Sequence, residues 1–112
     1  MIVHTRARGN IAEERGCEYL RQNGFRILDR NVYNRFGEID IIALRDDVIH
    51  FVEVKSAQTY EQAVNNITPS KLQKLHRTIQ TYIQNKRLNL DYCIDALIIS
   101  EDTLEWIENI TL

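Results

Sequence analysis

The strongest structural signal in this sequence is a pair of β-rich runs, residues 38–44 and 48–55, which only a short polar segment separates. β-branched and other apolar residues dominate both runs, as is typical of strands. Two strands with so short a connection form an antiparallel hairpin. The sequence therefore predicts a tight turn at Asp46 and Asp47, with the two strands paired side by side.

The register of this hairpin brings charged residues together. A two-residue turn and a four-residue loop give the same pairing, in which Asp40 lies opposite Glu53 and Glu38 lies opposite Lys55. Side chains alternate between the two faces of a strand, so all four point to one face, which they share with large apolar side chains. Like charges opposed across a ladder destabilise it, and burying carboxylates costs further free energy. A cation is therefore expected between them.

Two kinds of cation meet this requirement, and the spacing leaves both open. Lys55 neutralises one carboxylate but not two or three. A divalent cation supplies the remaining charge, and hard oxygen ligands without a matching Cys or His cluster favour Mg²⁺ or Mn²⁺ over zinc. The alternative is a satisfied ion-pair cluster, in which Glu38 pairs with Lys55 and Asp40 pairs with a nearby arginine.

A helix over residues 6–22, ended by the stop signal Asn23-Gly24, adds another carboxylate. Glu13 lies within the apolar arc of its helical wheel, so we expect its side chain to face inward. The alternative is a boundary residue that extends its carboxylate to water. Small residues on the same arc permit a close approach to a sheet; they are Gly9, Ala12 and Gly16.

The remaining elements complete an α/β pattern. Thr68 and Pro69 begin a second helix, because they supply an N-cap and a proline at its first position. Strands are predicted over residues 25–32 and 92–99, a turn over 34–37, a short helical turn near 61–66 and an edge strand over 104–110. The predicted fold class is an αβββαβ core in which helices flank a central mixed sheet, and one domain spans residues 1–112.

Composition and charge restrict the class of protein. The 112 residues carry a net charge of −2, yet residues 1–37 and 61–90 are basic and bracket an acidic segment, as a cation site flanked by nucleic-acid contacts requires. Ordinary helix surface charge is the alternative. No apolar run approaches the ~20 residues that span a bilayer, and the N-terminus has no secretory pattern, so a cytoplasmic protein is expected. Cys17 and Cys93 are interpreted as small buried hydrophobic residues.

Other polar residues are weaker candidates. His76 lies on the apolar stripe of the second helix and is predicted to be a hydrogen-bonded core residue, whereas His50 faces away from Glu53. Asp95 interrupts a buried strand, so it needs a structural partner, for which a lysine of the second helix or an arginine of the first would serve. Five basic residues are candidate phosphate contacts, with solvated surface as the alternative; they are Arg6, Arg8, Arg15, Lys71 and Lys74.

The two strands of the hairpin carry recognisable strings, Gly37-Glu38-Ile39-Asp40-Ile41-Ile42 and Phe51-Val52-Glu53-Val54-Lys55. They resemble the GEID and FVEVK motifs of the YraN family, in the PD-(D/E)xK nuclease superfamily. The resemblance covers most of the chain, since Glu13, Asn31 and Lys71 also fall where that family has matching residues. It departs at Ala57, where the family commonly has arginine, and at Ala12, where glycine is usual.

The resemblance implies a restriction-endonuclease-like fold and a metal site. Asp40, Glu53 and the backbone carbonyl of Val54 would hold Mg²⁺ or Mn²⁺, Glu13 would complete the site directly or through water, and Lys55 would orient the attacking water. The implied reaction is hydrolysis of phosphodiester bonds in nucleic acid, structured or branched DNA more than RNA, and a resolvase-like role would imply a homodimer. The alternatives are a nucleic-acid-binding module on the same fold that does not cleave, and an interaction protein with a vestigial ion-pair cluster.

Overall fold

The computed structural model describes residues 2–56 and 58–110, and the side chains of residues 11–56, 58, 59, 61, 62 and 64–110. Within these described ranges, three helices and five strands follow one another. In order they are α1 (Ile2–Gln22), β1 (Arg26–Asn34), β2 (Gly37–Arg45), β3 (Val48–Ser56), α2 (Tyr60–Asn65), α3 (Pro69–Lys86), β4 (Asp91–Ile99) and β5 (Leu104–Ile107).

All five strands form one mixed sheet in the order β1-β2-β3-β4-β5. β3 and β4 are parallel, and the other neighbouring strands are antiparallel. Helix α1 packs on one face, over a cluster that includes Leu20, Val52 and Leu97. Helix α3 packs on the other face, where Phe51 and Ile79 are buried. This confirms the predicted fold class, and no helix among the described residues is both long and apolar enough to cross a membrane.

The β2–β3 hairpin confirms the predicted turn and part of the predicted register. Asp46 and Asp47 both have positive φ, 53° and 62°, as a two-residue turn that matches the twist of a hairpin requires. The strands pair from Arg45 opposite Val48 to Ile41 opposite Val52, in the predicted register. The ladder between the described residues of β2 and β3 ends there.

The predicted ladder pairs beyond that point are wrong in detail. Glu38 does not pair with Lys55 but lies opposite Tyr33 of β1. Asp40 does not pair with Glu53 through the backbone, because the Asp40 carboxylate accepts the hydrogen bond of the Val54 N–H at 2.8 Å. The Asp40 carboxylate thus takes the place of a backbone partner for Val54, and β2 and β3 separate beyond Ile41 and Val52.

The regular alternation of side chains between the two faces of the sheet is interrupted in β1 and β2, at the level of Asp40. Ile39 packs in the cluster under α3, whereas Ile41, two residues later, packs in the cluster under α1. Across the ladder, Val32 also packs on the α3 side, and Asn31 before it has a φ of 52°. Asn is one of the few residue types that adopts this left-handed conformation readily. The strict alternation assumed from the sequence therefore fails beside Asp40.

The two long helices end and approach the sheet largely as predicted. α1 ends at Gln22, and Gly24 with a φ of 85° closes it, but the helix begins at Ile2, earlier than its apolar arc indicates. A Cβ atom on Gly16 would lie 3.0 Å from Leu97 Cδ1, so a larger residue would require that side chain to shift. In α3 the Thr68 hydroxyl accepts from the Lys71 N–H at 3.2 Å, as the predicted cap requires.

The prediction for His76 is wrong. Its side chain is exposed, while Leu75, Thr78 and Ile79 are the buried residues of α3. The buried stripe is therefore rotated away from His76, and Thr78 takes an interior position by donating its hydroxyl proton to the Lys74 carbonyl at 2.9 Å. β5 is also shorter than predicted, and the Ile110 N–H donates to the Ile94 carbonyl instead of extending it.

Candidate functional site

Asp40 and Glu53 converge where β2 and β3 separate. Asp40 is a charged neighbour of Glu53 and favours a proton on its carboxyl group. Burial and the neighbouring charge of Asp40 raise the pKa of Glu53 to about 8, so Glu53 carries that proton at neutral pH. The predicted convergence of the two acids is confirmed, although a ladder pair is not what produces it.

Lys55 lies beside this pair, because it follows Glu53 by two residues and points to the same face of β3. Its Nζ is 3.4 Å from Glu53 Oε1, and both side chains are largely buried. The ammonium lowers the pKa of Glu53, but burial and Asp40 outweigh it. Lys55 alone therefore does not keep both Asp40 and Glu53 ionised at neutral pH.

Glu13 reaches the same place from α1. Its side chain is only 13% exposed, and Oε1 has no hydrogen-bond partner among the described residues. Burial and then the charge of Asp40 raise its pKa, while Arg30, 3.8 Å away, and a hydrogen bond from Asn31 lower it. The prediction that Glu13 faces inward is confirmed. A buried carboxylate oxygen without a donor is an atom free to bind a cation or a water.

Glu38 stands at the mouth of the site. Burial, followed by the charge of Asp40, raises its pKa although its side chain is exposed. The ion-pair cluster left open by the sequence does not form as described there. Among the described residues Lys55 pairs with Glu53 and not with Glu38, and Arg30 pairs with Glu13 and Glu14 and not with Asp40.

A pocket of about 180 Å³ opens beside the acids. Glu38, Glu53 and Lys55 line one side, and Lys71 and Lys74 of α3 line the other. Lys71 and Lys74 are both exposed. The pocket thus joins the acidic group to two of the residues predicted to contact phosphates. We call Glu13, Asp40, Glu53 and Lys55 the acidic site, and this cavity the acidic-site pocket.

Sequence comparison places the chain among known proteins. A model of "Uncharacterised protein family UPF0102" matches residues 12–99, a span that contains the whole acidic site and both pocket lysines. This chain belongs to the UPF0102 family. The UPF0102 protein of Sulfurimonas denitrificans is 53% identical over 96% of this chain and 99% of its own length.

Further UPF0102 relatives show similar coverage. The protein of Helicobacter hepaticus is 50% identical over 98% of this chain and 99% of its own length. That of Aliarcobacter butzleri is 46% identical over 96% of this chain and 99% of its own length. The similarity therefore extends over nearly the full length of each.

The structure does not gather every predicted residue of this UPF0102 chain at the acidic site. Arg15 is exposed and donates to the Ser100 carbonyl at 3.1 Å, and it does not line the acidic-site pocket. The side chains of Arg6 and Arg8 lie outside the described residues, as does Ala57. Of the five predicted phosphate contacts, Lys71 and Lys74 are the two that the structure brings to the acids.

Sequence reasoning missed two residues that hold Glu13. Arg30 lies 3.8 Å from Glu13 and donates to Glu14 at 2.8 Å, and Asn31 bonds to Glu13 from a left-handed backbone conformation. The signal is weak, because a register shift between Ile27 and Asp29 and the left-handed backbone of Asn31 decide which way β1 points its side chains. An Asn within the predicted strand 25–32 is the available clue, since this residue type adopts the left-handed conformation readily.

The predicted partner of Asp95 is wrong. Its carboxylate binds His50, the Trp106 indole N–H and the Asn109 backbone N–H, not a lysine or arginine. His50 and Cys93 are direct neighbours in the parallel β3–β4 ladder. The sequence gives no register for a parallel pair whose strands are far apart in the chain, so this group was not foreseen.

The chemistry available at the acidic site follows from its atoms. Three carboxylates supply only oxygen ligands, which suit Mg²⁺ or Mn²⁺. Glu13 offers an oxygen without a donor, and Glu53 holds a proton that a cation would displace. The residues present therefore fit a hard divalent cation.

Proposed function

We propose that this UPF0102 protein is a metal-dependent endonuclease of the PD-(D/E)xK superfamily that hydrolyses phosphodiester bonds in structured or branched DNA. The observation that carries the proposal is the convergence of Asp40, Glu53 and Lys55 at the point where β2 and β3 separate. The resemblance of the two hairpin strings to the GEID and FVEVK motifs supports it.

The three carboxylates have different roles at the proposed cation site. Asp40 and Glu53 would provide the anionic oxygens once Glu53 loses its proton, and the Val54 carbonyl would be a further ligand, as the resemblance implies. Glu13 completes the site, directly or through water, with the oxygen that has no donor. A bound Mg²⁺ polarises a phosphoryl oxygen and lowers the pKa of its water.

The cationic side chains act on the substrate. Lys55 orients the attacking water and balances the charge that develops on the scissile phosphate. Lys71 and Lys74, across the acidic-site pocket, bind neighbouring phosphates of the same strand. The substrate backbone therefore passes between the acidic site and the first turns of α3.

A cleavage assay tests the proposal. Four-way junction, duplex and single-stranded DNA, together with an RNA hairpin, are incubated with the full chain in Mg²⁺ or Mn²⁺. We expect the junction to be cut, EDTA to abolish cutting and Glu53→Ala to remove it. Glu105→Ala, an exposed glutamate of β5, is the control and should cut normally. Absence of cutting on every substrate with both metals would overturn the proposal.

A nucleic-acid-binding module that does not cleave is the second candidate. It is favoured by Lys71 and Lys74, whose place beside the pocket does not depend on a metal. In that case the chain binds the same DNA with equal affinity in Mg²⁺ and in EDTA, and Glu53→Ala leaves the affinity unchanged. Gel-shift titrations run beside the cleavage assay distinguish the two functions.

A further inference from the structure

A second group of ligand-type side chains lies on the opposite face of β3 from Glu53, toward the start of β3 and β4. His50 and Cys93 are directly paired across the parallel ladder, and Asp95 follows Cys93 by two residues on the same face. His50 is 5% exposed and Asp95 is fully buried, whereas Cys93 is half-buried. This group includes none of the residues of the acidic site.

The three side chains present their ligand atoms to one small space. His50 Nδ1 lies 2.5 Å from Asp95 Oδ2 and 3.2 Å from Cys93 Sγ. Cys93 Sγ lies 3.4 Å from Asp95 Oδ1, and all three ligand atoms lie within 4.8 Å of one another. Ligands of a tetrahedral zinc ion, bound at about 2.0 to 2.3 Å, stand roughly 3.3 to 3.8 Å apart. The three ligand atoms need to move by less than about 1 Å to match that geometry.

We propose that His50, Cys93 and Asp95 form a binding site for a borderline transition-metal dication of the Zn²⁺ class. One sulfur, one imidazole nitrogen and one carboxylate oxygen are a donor set that zinc and cobalt accept and that Mg²⁺ does not. The site is thus chemically distinct from the acidic site, whose ligands are all oxygen.

Charge balance supports a dication in this buried place. A thiolate, a carboxylate and a neutral imidazole around a dication sum to zero, so the assembly buries no net charge. Three coordination bonds form, and the Cys93 thiol proton leaves to solvent. The His50 proton, which the Asp95 contact places on Nδ1 in the metal-free protein, moves to Nε2. Because Cys93 is only half-buried, a water from solvent would serve as the fourth ligand.

Outer contacts already fix the orientation of the ligands. The Trp106 indole donates to Asp95 Oδ2 at 3.0 Å, and the Asn109 N–H donates to Asp95 Oδ1 at 2.9 Å. The Phe25 ring meets the His50 ring edge-on at 4.8 Å. Such outer-shell contacts are typical of metal-ligating His and carboxylate groups. The nearby Arg45 opposes a cation, but it pairs with Glu108 at 3.6 Å.

Cobalt titration of the full chain tests the site. In excess Mg²⁺, we expect Co²⁺ to produce the near-ultraviolet charge-transfer band of a thiolate–cobalt bond, at one equivalent per chain, and Zn²⁺ to abolish the band by displacing Co²⁺. Cys93→Ser should remove the band and weaken Co²⁺ binding by about tenfold or more, since loss of even an outer-shell partner typically has that effect.

Two controls separate this site from the other groups. Cys17→Ala removes the other thiol, which belongs to a buried residue of α1, and should leave the band intact. Asp40→Ala disables the acidic site and should leave the band intact too. Absence of the band in the wild-type chain, its persistence in Cys93→Ser or its loss in Cys17→Ala would overturn the proposal. Circular dichroism confirms that each variant is folded.

Discussion

At the scale of single residues, the proton on Glu53 is the feature with the clearest consequence. Two carboxylates placed this close cannot both ionise in a buried setting without a cation. In the metal-free chain Glu53 stays protonated at neutral pH, because its pKa is raised to about 8. The same proton must leave when a dication binds, so the acidic site couples cation binding to pH.

The first prediction concerns the stability of the metal-free protein. Glu53 titrates near 4.5 when unfolded and near 8 when folded, so between these values the folded chain holds more protons and loses stability as pH rises. Glu53→Gln carries no such charge. In EDTA, the difference in melting temperature between Glu53→Gln and wild type should therefore increase from pH 5 to pH 8. At about pH 8 it should correspond to a difference of a few kcal/mol in the free energy of unfolding. Parallel pH profiles for the two proteins would contradict this, and Glu105→Gln serves as the control.

The second prediction separates cation binding from turnover. Lys55 contacts Glu53 at 3.4 Å but is a cation itself and cannot be a metal ligand. Lys55→Ala should lower the cleavage rate by about 10²- to 10³-fold, the cost of removing one group that stabilises the transition state. The rise in melting temperature with Mn²⁺ should remain. Lys86→Ala, at the far end of α3, is the control, and normal cleavage by Lys55→Ala would refute the assigned role.

Local periodicity predicts Glu13, Glu53 and Lys55 correctly, although the same kind of periodicity misplaces His76, which is exposed. The inward direction of Glu13 follows from its helical arc, and the shared face of Glu53 and Lys55 follows from strand alternation. The partner of Asp95 could not be predicted, because His50 reaches it through a parallel ladder and Trp106 through a later strand. Contacts between distant segments leave no periodic trace in one sequence.

At the scale of elements, the hairpin shows how far turn chemistry fixes a register. The Asp46-Asp47 turn sets the pairing as far as Ile41 and Val52. Beyond that point a side chain competes with the backbone, since the Asp40 carboxylate takes the Val54 N–H. The sequence places both acids on the hairpin, but it does not reveal that the strands must separate for the acids to meet.

The third prediction concerns the left-handed residue of β1 opposite that separation. Asn31 has a φ of 52°, and its side chain bonds to Glu13. Asn31→Gly removes the Cβ that strains this conformation, whereas Asn31→Ala keeps a Cβ without the polar side chain by which Asn tolerates it, at a cost of about 1 to 2 kcal/mol. Urea denaturation should find the alanine variant less stable than the glycine variant by about that amount. Equal stability of the two would show that the backbone relaxes at this position.

At the scale of the whole molecule, charge is separated along the chain and in space. The segment 91–112 is wholly acidic in its charged residues, whereas the acidic-site pocket collects three lysines, Lys55, Lys71 and Lys74. An overall charge of −2 conceals this arrangement. Local basic character beside a cation site is what a chain needs to hold a polyanion without being basic as a whole.

The fourth prediction follows from that arrangement. Each phosphate contact releases counterions, so binding of duplex DNA should weaken as salt rises, and losing one lysine contact should reduce the slope of log K against log salt by about 1. We expect this reduction for Lys71→Ala and for Lys74→Ala, whose side chains line the pocket. Arg15→Ala is the matched control, because Arg15 is engaged by the Ser100 carbonyl and does not line that cavity. Fluorescence-anisotropy titrations at several salt concentrations measure the slopes, and an Arg15→Ala effect equal to that of the lysine variants would place the DNA elsewhere on the surface.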